Sequence, residues 1–585
     1  MTNYILLLMR VPNYNRFPST PVNGNASVGW NALHSIILNL LEKKRCIVFE
    51  VYPGVDIERL ISFLESTQLG KVIGMNSLYK SEEEIRTMTQ KNLTEDVLFG
   101  FISPLKIQDF LDQNKVSALN EHLHIDSSNV FIVGTGASAV AGDDCPILYF
   151  DLSRWEIIQR FRKQVVDGIG VNSRKEPVSL QYKRGYFNDW KVADRLKEKV
   201  FHKVSYWVDT HKSESPVIID QKLFMTGINQ IIKGPFRVVP FFDAAPWGGQ
   251  WMKAQFDLPK DKENYGWGFD CVPEENSILF DFNGIKYEFP AVNLVLLKSK
   301  ELLGEQVEAR FGKDFPIRFD FLDTVEGGNL SLQVHPTVHF TKENFGLHYT
   351  QDESYYMVYA EPDAKIYLGL RDTVGDGEAL FNDLKRAQEE GTSFDAEKYV
   401  NIYPVHKHDH FLIPSGTIHC SGTNSVVLEI SSTPNLFTFK LWDWERLGLD
   451  GKPRPINIDR GKEVLNLQYK EKYTKENLVN KIEQTDSGDG WVEEKTGLHP
   501  NEFIEVRRHR FRKPVLHTSG PSVNVLNLVE GEEVIVESPE GAFEPFVVHY
   551  AETFIIPASL GKYRIRPIGL SEDKECVTVK AYVRV

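Results

Sequence analysis

The 585-residue sequence predicts a multidomain α/β plus β protein. An N-terminal α/β layered domain with a parallel sheet is followed by two jelly-roll β-domains, the first carrying a helical insert. Three observations predict this. Residues 1–235 alternate strand-like and helix-like runs. From about residue 236, Pro and Gly punctuate many short runs of Phe, Val, Ile and Trp. Two distant segments then echo each other, DHFLIPSG (409–416) and ETFIIPAS (552–559).

In the first region RCIVFEVYPG is a β-rich run closed by Pro-Gly, and DIERLISFLES after it has helical periodicity. NVFIVGTGASAV and CPILYFDL read as buried strands, and SRWEIIQRFRKQVV as a helix begun by Ser153. A βαβα rhythm of this kind builds a layered domain on a parallel sheet.

The second region reads as a series of short strands: FRVVPFF, SILFDFNG, NLVLLK, FPIRFDFLD, LSLQVHP, ESYYMVYA and AKIYLGL. Close spacing of such runs indicates a sandwich or jelly roll. One helical insert, about 376–400, interrupts it at EALFNDLKRAQEEG. The echo between 409–416 and 552–559 indicates two related β-domains, 236–465 and 466–585. Only the first carries GTIH after its Pro, so the second is expected to lack metal ligands. A polar stretch around 468–500 reads as the link between them.

Length and composition fit several cores in one chain, with 42% hydrophobic and 25% charged residues. Lys plus Arg number 67 against 81 acidic residues, a net charge of −14. That balance argues against nucleic acid or an anionic membrane as the main partner. The 5 cysteines (Cys46, Cys145, Cys271, Cys420, Cys576) are odd in number, scattered and without a CxxC, which favours a reducing compartment. The apolar run at 5–9 is too short for a signal peptide or membrane span, and a cytoplasmic protein is expected.

The chemistry concentrates in SLQVHPTVHF (331–340). Gln333 and His335 are i and i+2 on an expected strand, so both leave the same face. Glu353 opens the next strand, and His419 ends the Pro/Gly turn IPSGTIH. One amide oxygen, two imidazoles and one carboxylate suit a borderline divalent cation, zinc first, with positions left for substrate. His339 and His348 read as loop histidines beside this set. His406, His408 and His410, in VHKHDHF, mimic a metal comb but read as lining a turn.

WGG (247–249), LSLQVHP (330–336), DESYY (352–356), AKIYLGL (364–370) and IPSGTIH (413–419) fall in the order and approximate spacing of type I mannose-6-phosphate isomerase, a zinc-dependent cupin family. The chain resembles that family from 236 onward, somewhat over half its length. The resemblance implies one Zn²⁺ per chain held by Gln333, His335, Glu353 and His419. It also implies Glu429 as active-site glutamate and Ser331 as a phosphate-side serine. Lys440 stands where the family has an arginine, and it lacks the planar fork of donors. Two family lysines that help hold the substrate phosphate are replaced by Asp320 and Gln351, with Arg318 two residues before Asp320.

Three functional readings follow. The first is a mannose 6-phosphate/fructose 6-phosphate isomerase with a remodelled phosphate pocket. The second is a zinc isomerase of an unphosphorylated sugar, and the third a carbohydrate sensor that binds without turnover. In each the partner is a sugar or sugar phosphate, with no expectation of oligomeric state.

The N-terminal region is distantly similar to uridine-kinase-like P-loop proteins, through YFDLSRWEIIQRFR and YKRGYFNDWKVADR. VYPGVDIERL stands where the phosphate loop would be, but the chain contains no GxxxxGK[ST]. GTGASAVAG (134–142) likewise lacks the Walker lysine and reads as a glycine-rich packing turn. A degenerate kinase relative, serving as scaffold or binding module, is the expectation.

Overall fold

The computed structural model describes residues 12–125, 128–433 and 437–585; the apolar run at 5–9 lies outside them. The N-terminal sheet has seven strands. Their order is Ser27–Val28, Val217–Asp220, Val204–Asp209, Ile147–Asp151, Cys46–Val51, Val130–Gly134 and Lys71–Gly74. The last five named are parallel neighbours, as the βαβα rhythm requires. Val48, Phe49, Ile132 and Leu148 are buried from both faces, so these strands read as continuous apolar runs. Asp56 caps helix Ile57–Thr67 by accepting from Arg59 N, and Ser153 caps helix Arg154–Arg162 by accepting from Glu156 N.

Between the α/β domain and the first jelly roll lies a unit the sequence reading misplaces. Ser277–Phe282 and Ile285–Pro290 pair with each other and with Ser19–Pro21, outside either jelly-roll sheet. Their Phe280, Tyr287 and Phe289 pack on Phe224 of the α/β domain. NLVLLK is not a strand: it belongs to helix Val292–Leu303. A short apolar run carries no period that separates strand from buried helix, and here the full 12-residue segment decides for helix. The helix is tied back by Asn293, which bonds Asp151 and Lys197 in a fully buried triangle.

The first jelly roll faces a six-stranded sheet against a five-stranded one. The six run His410–Ile413, Glu353–Ala360, Ser425–Ser432, Ile317–Asp323, Trp267–Cys271, Phe241–Asp243. The five run Val400–Pro404, Lys365–Leu370, His419–Ser421, Leu332–Val334, Phe439–Trp442. Helix Glu378–Glu390 lies between two strands of the second sheet, where helical spacing placed an insert.

A second pair of antiparallel sheets, of six and four strands, closes on Leu526, Leu528, Val534, Val536, Phe554 and Ile565, and both β-domains are consistent with cupins. The two echoing segments are equivalent elements: His410–Ile413 and Thr553–Ile556 are each the edge strand of a six-stranded sheet, followed by Pro. The polar stretch at 468–500 is not a mere link. It forms helix Glu471–Asn477 and a hairpin, Glu483–Gly488 with Trp491–Gly497, which supplies two strands of the C-terminal six-stranded sheet. Asp489-Gly490 turns it, with Gly490 at φ 79°. Among the described residues no helix is long and apolar enough to cross a membrane.

Candidate metal centre

Gln333 lies on the short strand Leu332–Val334, and His335 follows its end. Pairing on both sides sets Gln333 opposite His419 and opposite Lys440. Glu353 comes from the facing sheet as the first residue of its strand. The IPSGTIH turn is fastened beside them by Gly416 N, which donates to the His335 carbonyl at 2.9 Å. Residues 86 positions apart in sequence thus share one interior.

His335, Glu353 and His419 present ligand atoms within 4.8 Å of one another. His335 Nε2 is 3.2 Å from Glu353 Oε2, and His419 Nε2 is 2.8 Å from Glu353 Oε1. The Gln333 amide is 3.3 Å from His419 Nε2. All three of His335, Glu353 and His419 are at most 2% exposed.

The other ring nitrogens fix the tautomers. His335 Nδ1 faces the Phe437 carbonyl at 3.1 Å and His419 Nδ1 the Thr417 carbonyl at 2.8 Å, so both neutral rings donate from Nδ1. Their Nε2 lone pairs then point at a carboxylate, an arrangement that repels unless a cation lies between. Consistently, His335 Nε2 and Glu353 Oε1 are buried without a hydrogen-bond partner among the described residues. Without a cation, a proton on His335 Nε2 meets the same need: burial opposes charge on both His335 and Glu353, but the attraction between imidazolium and carboxylate wins. It raises the His335 pKa and drops Glu353 far below the usual carboxylate range. Two imidazoles, a carboxylate and a turnable amide are the donor set of a borderline divalent cation such as zinc, and these residues fit one.

The inner face of the six-stranded sheet continues as a buried charged cluster. Asp320 pairs across the strands with Glu429, and Glu429 with Tyr355. Arg318 stands between the carboxylates, 3.3 Å from Glu429 Oε1 and 3.3 Å from Asp320 Oδ2. Gln351 donates to Glu353 at 2.9 Å and reaches Glu429 at 3.5 Å. Burial pushes the pKa values of Asp320 and Glu429 up; neighbouring carboxylates push the same way and Arg318 partly offsets them. Asp320 and Arg318 therefore neutralise each other deep in the barrel.

The cations open to a ligand lie on the other side. Gln333 and Lys440 are half-buried, marking the mouth of the site. Burial, with Arg454 and Arg446 nearby, pushes Lys440 down to about 8. Ser331 donates to Asp443 Oδ1 at 2.8 Å; Arg454 binds Asp443 Oδ2 at 2.8 Å and Arg446 binds Oδ1 at 2.9 Å. Lys440, Arg446 and Arg454 thus outnumber Asp443 beside Ser331. Sequence reasoning missed Asp443, Arg446 and Arg454, although WDWER (442–446) and KPRP (452–455) lie within 15 residues downstream of Lys440. It also missed Tyr355, whose buried hydroxyl has no hydrogen-bond partner among the described residues and whose ring lies 5.8 Å from His419.

The remaining histidines fall elsewhere. His339 is exposed, as a bystander should be, but on helix Val338–Phe345 rather than a loop, because Thr337 caps that helix. His348 is exposed. His406 and His408 lie in a turn closed by Asp409. His410 departs from that reading. It is fully buried on a strand, paired with Tyr356, and burial pushes it down to about 3.

In the α/β domain the glycine-rich turn holds an anion already. Glu50 accepts from Gly136 N, Ser138 N and Ser138 Oγ at 2.6–2.7 Å, with burial raising its pKa to about 7. The cleft beyond the strand ends, about 140 Å³, is lined by Asp56, Glu58 and Asp167 against Arg174. That balance does not suit a polyphosphate.

Residues 29–233 match a domain of unknown function, DUF8485. The chain is similar to the mannose-6-phosphate isomerase of Streptococcus mutans, 25% identical over 231 residues, 38% of this chain and 64% of that protein. It is likewise similar to mannose-6-phosphate isomerase ManA of Bacillus subtilis, 25% identical over 234 residues, 40% of this chain and 68% of that protein. The chain therefore spans a little under two thirds of the first of these relatives. A solved structure of the Bacillus subtilis mannose 6-phosphate isomerase covers 60% of this chain and 99% of its own, at 18% identity and TM-score 0.48. A structure of a point mutant of the Salmonella typhimurium phosphomannose isomerase covers 60% of this chain and 100% of its own, at 12% identity and TM-score 0.45.

Proposed function

We propose that the chain is a metal-dependent aldose–ketose isomerase that interconverts mannose 6-phosphate and fructose 6-phosphate through an enediol. The observation that carries this reading is the buried convergence of His335, Glu353 and His419 with Gln333, open at one side toward Lys440. A divalent cation held there supplies Lewis-acid polarisation of the sugar's carbonyl and hydroxyl oxygens.

The protein's own groups would do the rest. Glu429 takes the C2 proton of the aldose and returns it to C1 of the enediol, its buried setting holding its pKa well above a free carboxyl. Lys440 faces the oxygen that gains negative charge. Arg446, Arg454 and Ser331 give the phosphate a cationic mouth, taking over from the lysines replaced by Asp320 and Gln351. The amino-acid identity to isomerases of this specificity supports the same reading.

A second reading keeps the chemistry and drops the phosphate, and one observation favours it: Arg318, the cation nearest Asp320, is fully engaged by Asp320 and Glu429. Zinc-loaded protein assayed with mannose 6-phosphate and with mannose separates the two. Turnover of the phosphate ester with little of the free sugar is expected; turnover of mannose alone would overturn the first reading.

A further inference from the structure

One aromatic contact of the α/β domain with the rest of the chain lies beside the metal centre. Phe437 is the centre of that contact. Its ring stacks on Phe345 at 4.3 Å and meets Phe99, Phe187 and Tyr186 of the α/β domain at 6.1, 6.1 and 6.4 Å. Its carbonyl is the group that accepts from His335 Nδ1. Phe99 also lies against Phe345 and Phe439, and Arg460 covers its outer face while pairing with Asp96. A main-chain bond fastens the two sides together, Ile102 N donating to the Phe345 carbonyl at 2.9 Å, and within the α/β domain Ser103 N holds the Phe187 carbonyl at 2.8 Å.

Tyr186 and Phe187 belong to a one-turn π-helix, Gly185–Asp189, inserted between helices Val178–Arg184 and Trp190–Val200. Such wide turns displace side chains from the faces a regular helix would give them, and they are frequent where position matters.

The domain reaches the opposite flank too. Trp155 stacks on Phe241 at 4.2 Å, Phe241 on Phe269 at 4.6 Å, and Arg318 lies over Phe269. Tyr182 donates to Glu275 at 2.9 Å, and Glu275 acts electrostatically on Arg318. Two elements of one domain therefore bear on two sides of the charged interior.

We infer that the N-terminal α/β domain is a positioning element of the metal centre: Phe99, Tyr186 and Phe187 hold Phe437 so that its carbonyl orients His335 for coordination. This gives the domain a role that needs no nucleotide, in keeping with its missing phosphate loop and self-filled glycine turn. A ligating imidazole depends on the group at its other nitrogen for tautomer and orientation, and loss of such a group weakens metal binding 10–100-fold in other proteins. Because the contact is aromatic and buried, with Phe437, Phe187, Phe99 and Phe345 at most 2% exposed, it transmits a small shift rather than absorbing it.

The inference rests on the metal reading of the site, and the test separates the two. Full-length wild type, Phe187→Leu, Phe99→Leu and Phe224→Leu are loaded with Co²⁺ for visible d–d spectra and titrated with Zn²⁺ against a competing chelator. Phe224 lies in the core of the same domain, packed on Trp207 and Phe289, away from Phe437. Phe187→Leu and Phe99→Leu are expected to move the Co²⁺ bands and raise the zinc Kd about tenfold. Phe224→Leu is expected to lower the melting temperature while leaving both readouts at the wild-type value.

Unchanged spectra and zinc Kd in Phe187→Leu and Phe99→Leu would overturn the inference and leave the metal reading standing. An equal spectral shift in Phe224→Leu would overturn it as well, by marking the effect as general loosening. Wild type that binds neither ion would overturn both. Phe99 lies outside the helices and strands, so Phe99→Leu reports even where Phe187→Leu, within the one-turn π-helix, folds poorly.

Discussion

Replacing Arg318 by Leu removes the only cation within 4 Å of both Asp320 and Glu429 among the described residues. The pair distances are each 3.3 Å and all three side chains are at most 5% exposed. Breaking a buried pair from one side leaves uncompensated charge and costs about 3–5 kcal/mol at neutral pH. Over a domain of this size that corresponds to a fall in melting temperature of roughly 6–20 °C.

The pH dependence gives the sharper test. The folded pKa values of Asp320 and Glu429 already lie above their unfolded ones because of burial, and loss of Arg318 raises them further. The folded state then binds more protons than the unfolded state between the two sets of values, so stability falls as pH rises through that window. Below the unfolded values, about pH 4, both carboxyls are neutral in either state and the penalty vanishes. Melting curves of metal-free wild type and Arg318→Leu at pH 5 and pH 7.5 should therefore differ little at the lower pH and widely at the higher. Adding Asp320→Asn should recover much of the loss at pH 7.5. An equal loss at both pH values, or no recovery, would refute the buried-cluster reasoning.

His419→Ala should reduce metal retention sharply, read by elemental analysis after gel filtration; wild-type metal content in the variant would exclude His419 as a ligand. Lys440→Met should lower kcat on mannose 6-phosphate at least tenfold, a charged hydrogen bond being worth about 1.5–3 kcal/mol, with zinc content unchanged. An unchanged kcat would show that Lys440 does not face the developing oxyanion. Glu50, raised to about 7, favours the folded state less as pH climbs from about 4 toward 7. Glu50→Gln should flatten that slope in denaturant titrations, and a slope identical to wild type would show that Glu50 is not its source.

The candidate ligand set was partly legible because strand geometry makes i and i+2 share a face, so Gln333 and His335 stand out within one motif. Glu353 and His419 could be joined to them only through the family resemblance, since nothing local says which strands will face each other. The mouth was less legible. Asp443, Arg446 and Arg454 follow Lys440 in sequence, but their convergence on Ser331 depends on strand register. The sequence reading set Asp320 at a phosphate pocket, a role its burial against Arg318 leaves to be tested. NLVLLK misled because a run of four apolar residues carries no period. The pairing of Ser19–Pro21 with Ser277–Phe282 joins segments more than 250 residues apart and has no local signal. The polar hairpin at 483–497 escaped because Glu483–Gly488 is an exposed edge strand and Trp491–Gly497 beside it is largely half-buried, so neither needs apolar alternation.

The most direct test of the account is an anomalous difference map at the zinc absorption edge from crystals of zinc-loaded protein. One strong peak is expected, about 2.0–2.2 Å from His335 Nε2, His419 Nε2 and a Glu353 carboxylate oxygen, and absent from His335→Ala crystals. A map with no peak among these residues, or with its peak elsewhere in the chain, would contradict it.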